Sequence, residues 1–490
     1  MELIYTLTND NDNLKYLCGY LIYTKYKEMR IFMNIHLHQN TESATQDNVK
    51  NDSNTSTNNL YQLDGKISFK QAVPFGLQHI LAMFVSNIAP IFIVASACGL
   101  TSEQSAMLIQ SAMLIAGIGT LIQLFPIVRV GSGLPIVMGI SFTFVSVFCY
   151  LGPIYGYNAI VGAVLIGGLV EGFLGLLARY WIKLITPIVS ACVVTAIGFS
   201  LLSVGAASFG GGSGSEDFGS AKNWILGTIT LLCCIIFHMV AKSYFKQLSV
   251  LFGLIVGYIA AIIMGMVDFS SLSGTAVIAF PHILPLKPEF NINAIISVTL
   301  IFLVSATETI GDSSALASTG LNREATLKEL SGSLTCDGFI SSLSAVFGCL
   351  PITSYSQNVG LVAMTKVVNR YAIATGAGIM ILAGIFPIFG ALLSTLPEAV
   401  LGGCTLMMFG NIVISGLQMI EKCGFTHRNI TIAALSLSIG VGFTQVPEIF
   451  AIFPQLFRSV FAENCVAVVF IVAIILNLVL PKDVEAATQK

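Results

Sequence analysis

Two carboxylates, Glu308 and Asp312, lie in the run Ser305-Ala-Thr-Glu-Thr-Ile-Gly-Asp312. Four residues apart, they share one face of a helix. Like charges at that spacing repel, and an apolar setting opposes ionisation, so the pair is suited to taking up and releasing a proton. A third acid, Asp337, sits among small residues (Gly332, Ser333, Gly338, Ser341, Ser342) that permit close helix contact. The amide pair Gln357-Asn358 stands inside an otherwise apolar chain, and Gln78-His79 is a second polar pair in an apolar run. An amide can donate and accept hydrogen bonds at once, which suits a polar ligand. An interior histidine is more often a hydrogen-bonded orienting group than a ligand contact, and His79 is read that way. Glu171 and His238 have no evident sequence partner and read as packing residues.

The amide pair lies in a segment that cannot be one regular helix. Pro351 opens it, Ile352–Tyr355 favours extended backbone, and helix formers run from Gly360 to Thr365. Broken backbone at membrane depth survives only where protein or a cavity satisfies its polar groups, and a half-helix N-terminus there can face a ligand. The segment has a counterpart. Leu134-Pro135-Ile136 stands 216 positions before Leu350-Pro351-Ile352, a glycine precedes each (Gly133 directly, Gly348 one residue further off), and Ser141 and Gln357 follow seven residues after each leucine. Two related repeats, each giving one broken segment to a shared site, is an architecture of secondary transporters.

The chain is 55% hydrophobic and 10% charged, too few charges to cover a soluble surface. This is an all-α polytopic membrane protein. Fourteen apolar windows between residues 73 and 480 predict fourteen spans, with extended stretches in the third (134–151) and tenth (351–368). Two sets of seven must be inverted relative to each other: residues 66–290 and 291–482. Residues 1–65 read as a disordered polar cytoplasmic tail, with Met29 and Met33 as alternative starts, and 483–490 as a short C-terminal tail. With the N-terminus inside, only Lys222, Lys287 and Arg458 of the 23 Lys and Arg residues fall in outer loops. Both termini are therefore expected in the cytoplasm, in the cell membrane. Eleven cysteines without a CxxC pair read as small apolar residues, and neither a metal site nor a cofactor is expected.

Gln357-Asn358-Val359-Gly360, four residues, then Thr365-Lys366 matches in full the signature of the nucleobase–ascorbate transporters, also called the nucleobase–cation symporter-2 family. Gln78-His79 resembles that family's first-helix motif and Ala306–Asp312 its eighth-helix motif, and the likeness runs from Gly65 to Pro481. The resemblance implies a core domain and a gate domain, the gate formed by spans 5–7 and 12–14 and serving as a homodimer contact. It implies that Glu308 and Gln357 hydrogen-bond a purine base, xanthine or uric acid, with Ser141 and Phe142 as a platform and Ser356 and Asn358 beside them. It implies that Asp312 and Asp337 serve proton coupling, with His79 and Gln78 setting pocket polarity. Members with glutamine at the position of Gln357 tend toward xanthine or urate, whereas uracil carriers often have glutamate. Some xanthine-selective bacterial members carry asparagine where this chain has Ser141. Other readings are a uracil permease of the same family, a sulfate- or bicarbonate-type anion carrier of similar fold, and an intramembrane enzyme. Against the last, Thr309 replaces the first glycine of an aspartyl-protease Gly-x-Gly-Asp pattern. No nucleic-acid partner is expected.

Overall fold

The computed structural model describes residues 59–212, 214–269, 278–462 and 464–481. The expected N-terminal tail, apart from 59–65, and the C-terminal tail lie outside the described residues.

The elements that hold the site form one bundle. Helices α1 (Phe69–Ala97) and α2 (Ser102–Leu124) lead into strand β1 (Met138–Ile140), a 3-10 turn (Phe142–Phe144), α3 (Val145–Tyr155) and α4 (Tyr157–Leu176). The later half repeats this order. Helices α8 (Ile292–Leu321) and α9 (Leu327–Val346) lead into β2 (Ile352–Ser354), α10 (Ser356–Thr365), α11 (Arg370–Ile385) and α12 (Pro387–Ser394). The second bundle comprises α5 (Pro187–Phe209), α6 (Ala221–Val240) and α7 (Ser249–Ile263) with α13 (Glu398–Lys422), α14 (His427–Thr444), α15 (Gln455–Phe461) and α16 (Cys465–Val479).

Packing partners exchange between the halves as an inverted repeat requires. Helix α4 packs on α9 and α8, and its counterpart α11 packs on α2 and α1. Helix α6 pairs with α7 as α14 pairs with α16, while α5 meets its own counterpart α13. Small residues set these approaches. A Cβ on Gly338 would lie 2.1 Å from the Gly172 nitrogen, and one on Gly402 would lie 2.1 Å from the Phe209 nitrogen. Such contacts replace the hydrophobic drive that lipid cannot supply between helices.

All fourteen predicted windows coincide with a helix or a strand–helix pair. Among the described residues, eight helices are long and apolar enough to cross a membrane, and α11 with α12, bent by 77°, makes a ninth. The other five spans fall short for local reasons. Two are broken by strands, α16 is short, α14 opens with the polar run His427-Arg428-Asn429, and α9 carries serines, Thr335 and Asp337 that face protein rather than lipid.

Candidate functional site

Strands β1 and β2 pair antiparallel, Met138 with Ser354, Gly139 with Thr353 and Ile140 with Ile352, and all six residues are buried. So small a sheet has two open edges where no water can reach, and side chains close both. On the β1 edge, the Met138 amide donates to Thr120 Oγ1 at 3.0 Å and the Ile140 amide to Asn87 Oδ1 at 2.7 Å. On the β2 edge, the Ile352 amide donates to Ser341 Oγ at 3.1 Å and the Ser354 amide to Asp337 Oδ2 at 2.9 Å. The glycines foreseen before each Leu-Pro-Ile have φ of +74° (Gly133) and +69° (Gly348), a turn that side-chain-bearing residues resist. Gly139 is required by crowding, since a Cβ there would lie 2.7 Å from Met83 and 2.8 Å from the Tyr355 ring.

The strand register corrects the repeat alignment. Met138 and Ile140 correspond to Ile352 and Ser354, an offset of 214 rather than the 216 of the Leu-Pro-Ile motifs. The counterpart of Gln357 is therefore Thr143, and Ser141 corresponds to Tyr355. Thr143 was not foreseen, yet its Oγ1 donates to Glu308 Oε2 at 2.6 Å.

Where each strand ends, a helix begins, and the first turn of each leaves backbone N–H groups without intrahelical acceptors. The Ser141 amide donates to the Pro351 carbonyl at 3.0 Å, and Ser141 Oγ accepts from the Thr143 amide at 3.4 Å. Ser141 thus closes the strand pair and caps the turn. Phe142 heads that turn, nearly buried, its ring edge-on to Phe409 of α13 at 5.4 Å.

Helix α8 brings Glu308, half-buried, and Asp312 to the head of α10. Ser356 Oγ lies 2.8 Å from Asp312 Oδ2 and 3.4 Å from Glu308 Oε1. A hydroxyl has one proton to donate, so the second contact is a full hydrogen bond only when one of the two acids is protonated. Asp337 is fully buried and accepts three bonds: Gln123 Nε2 at 3.0 Å, Thr309 Oγ1 at 2.7 Å and the Ser354 amide. It clamps α2, α8 and β2 together and needs no proton of its own to do so.

On the other side of α10, Asn358 Nδ2 lies 3.1 Å from His79 Nδ1 and 3.3 Å from the His79 carbonyl. Because Nδ2 only donates, Nδ1 must accept, which assigns the His79 proton to Nε2. His79 is buried and Gln78 half-buried beside it on α1. Two amide oxygens in this region, Gln357 Oε1 and Asn358 Oδ1, are buried without any hydrogen-bond partner. Folded proteins leave few such groups, and two on adjacent residues at a half-helix head, near two carboxylates, mark a place built for something else. The Thr365-Lys366 end of the same motif fixes the segment. Lys366, at φ +59°, ends α10, and its Nζ donates to the Thr319 carbonyl in the last turn of α8 at 2.7 Å.

Of the residues singled out from sequence, Glu308, Asp312 and Ser356 meet directly, and Asn358 meets His79. Asp337 reaches the cluster through Thr309 and β2. Thr143, Gln123, Thr309 and Ser354 were missed. Thr143 becomes the counterpart of Gln357 only once the strands are paired. Glu171, read as a packing residue, is buried with both carboxyl oxygens unpartnered.

Comparison with known proteins gives the fold and the family. Two solved structures share the fold: the transmembrane domain of the cyanobacterial bicarbonate transporter BicA (TM-score 0.52, 14% identity, 85% of this chain and all of that one), and the murine anion transporter Slc26a9 in its inward-facing state (TM-score 0.58, 11% identity, 91% of this chain and 76% of that one). The two bundles are thus the core and the gate of a 7+7 inverted-repeat transporter. In sequence, the chain is 34% identical over 437 residues to xanthine permease XanQ of Escherichia coli K12, covering 86% of this chain and 94% of that one. It is 35% identical over 388 residues to uric acid permease PucK of Bacillus subtilis, covering 78% of this chain and 89% of that one. The family model Xan_ur_permease, described as a permease family, matches residues 70–449. The protein is a multi-pass membrane permease and not an enzyme, and it belongs to the Xan_ur_permease family, the nucleobase–ascorbate transporters.

Proposed function

We propose that the chain is a proton-coupled symporter that imports an oxopurine base, xanthine or uric acid, across the cell membrane. The observation that carries this reading is the pair of unpartnered amide oxygens at Gln357 and Asn358, placed with Glu308 at the head of α10. A xanthine ring presents adjacent N–H and C=O groups. The Glu308 carboxylate accepts from ring N–H, while the Gln357 amide accepts through Oε1 and donates through Nε2. Phe142 offers an aromatic face, and His79 holds the Asn358 amide in place. The relatives named for xanthine and uric acid support the same ligand class.

The proton travels with the base through Glu308, Ser356 and Asp312. Their geometry joins two acids through one hydroxyl, so a proton on either acid completes the set of bonds. Asp337, fixed by three donors, holds the strand pair that this exchange works against. A sulfate-type anion offers no N–H groups for the Glu308 carboxylate to accept from, which disfavours the anion-carrier reading.

The repeats divide at residues 66–290 and 291–482, both termini face the cytoplasm, and the gate helices serve as the contact of a homodimer. Cells expressing the chain should accumulate radiolabelled xanthine, more at lower external pH, and lose the gradient with a protonophore. Glu308→Gln should reach the membrane and abolish accumulation. Uptake that followed a sodium gradient at fixed pH would refute the coupling, and wild-type uptake by Glu308→Gln would refute the site.

A further inference from the structure

Apart from the Glu308 cluster, the structure holds a cavity of about 600 Å³ between core helix α3 and gate helices α5 and α14. Small-molecule sites span about 300–1,000 Å³, so it can admit a two-ring base with room for water. Ser146, Tyr150, Phe199, Ser203, Thr444 and Gln445 line it. Their chemistry is that of a loose site for a flat polar ring. Tyr150 and Phe199 supply aromatic faces. The side chains of Ser146, Ser203 and Gln445 form no hydrogen bond among the described residues. The Thr444 hydroxyl donates to the Gly440 carbonyl at 2.9 Å, leaving its lone pairs to accept.

The position matters as much as the lining. Ser146 and Tyr150 lie three and seven residues beyond Thr143, the residue that holds Glu308, so one face of α3 runs from the carboxylate cluster into the cavity. The first step along that face is about 5 Å. The walls come from both core and gate, so movement of one bundle against the other opens or closes this space.

We propose that this cavity is a second docking site for the purine base, occupied before the base passes along α3 to Glu308. This rests on the purine reading above. The aromatic pair stacks the ring, and Ser203 and Gln445 exchange its water hydrogen bonds for protein ones. The base is thus partly desolvated before it enters the carboxylate cluster.

The test uses Ser203→Cys in the full chain, with a charged, membrane-impermeant thiol reagent and site-resolved mass spectrometry of the introduced thiol. Xanthine should slow its modification at least threefold, both with Glu308 intact and with Glu308→Gln in the same chain. Tyr150→Leu should raise the KM for xanthine uptake about tenfold at unchanged maximal rate, as loss of one base–aromatic stack implies. Protection that vanishes with Glu308→Gln means the cavity only reports the central site, and overturns the proposal. So does absence of protection alongside normal uptake, or a wild-type KM for Tyr150→Leu. Absence of xanthine uptake by the unmodified chain overturns the purine reading itself, and this proposal falls with it.

Discussion

Asp337→Asn separates two roles that one buried acid could hold. In the structure, Asp337 accepts from Gln123, Thr309 and the Ser354 amide, and it has no exposed surface. Asparagine keeps the shape but turns one acceptor into a donor. If the amide oxygen stays with Thr309 and Ser354, the new NH2 faces Gln123 Nε2. Gln123 cannot simply flip, because its Oε1 accepts from the Ser132 amide at 3.0 Å and the Ser132 hydroxyl at 2.8 Å. Losing a hydrogen bond to a charged group costs about 1.5–3 kcal/mol, or about tenfold to a hundredfold in an equilibrium constant. The strain falls on β2 and so on the head of α10. Equilibrium binding of xanthine to purified Asp337→Asn should therefore weaken by about tenfold or more, with the protein still folded. If Asp337 instead carries the transported proton, the same variant should bind the base normally and lose only accumulation against a gradient. Wild-type affinity together with lost accumulation would refute the clamp.

The remaining predictions concern the ligand face. Gln357→Glu removes a donor and sets a carboxylate oxygen against a substrate carbonyl, an unmade buried bond of about 1–3 kcal/mol. Xanthine competition should weaken at least tenfold, with Asn358→Ser milder, and unchanged competition would remove Gln357 from the site. Thr143→Val keeps the volume and deletes the 2.6 Å bond to Glu308. It should shift the external pH giving half-maximal uptake while leaving membrane abundance unchanged, and an unmoved pH profile would count against Thr143.

Sequence made the broken segments legible because proline, glycine and polar residues interrupt apolar runs, and a membrane makes interruptions costly. It made Glu308, Asp312 and the amide pair legible because helical spacing and composition suffice to mark them. The register of β1 on β2 was hidden. Three-residue strands carry no periodicity, and the prolines that looked equivalent sit two residues out of step. Hidden with it was Thr143, an ordinary threonine until the strands are paired. The three donors to Asp337 were hidden for another reason. They come from α2, α8 and β2, and no spacing along the chain brings them together. Helix α9 is less apolar than its neighbours because its polar side chains face the core, so its low hydropathy reflects its position beside the site.

The strand pair also shows how a symmetric scaffold yields an asymmetric site. Both outer edges are sealed by side chains, but β1 is sealed by the neutral Thr120 and Asn87, and β2 by Ser341 and the acid Asp337. The acids that meet at the site, Glu308, Asp312 and Asp337, all come from the second repeat. The first repeat answers with neutral groups: Thr143 on Glu308, Gln123 on Asp337 and His79 on Asn358. An inverted repeat supplies two half-helix heads at equal depth, and equal heads alone would give no preferred partner for a proton. Placing the acids in one repeat and their neutral partners in the other resolves this. On the proposed proton route, a proton gained or lost on Glu308 changes the bond that Thr143 of the first repeat makes to it.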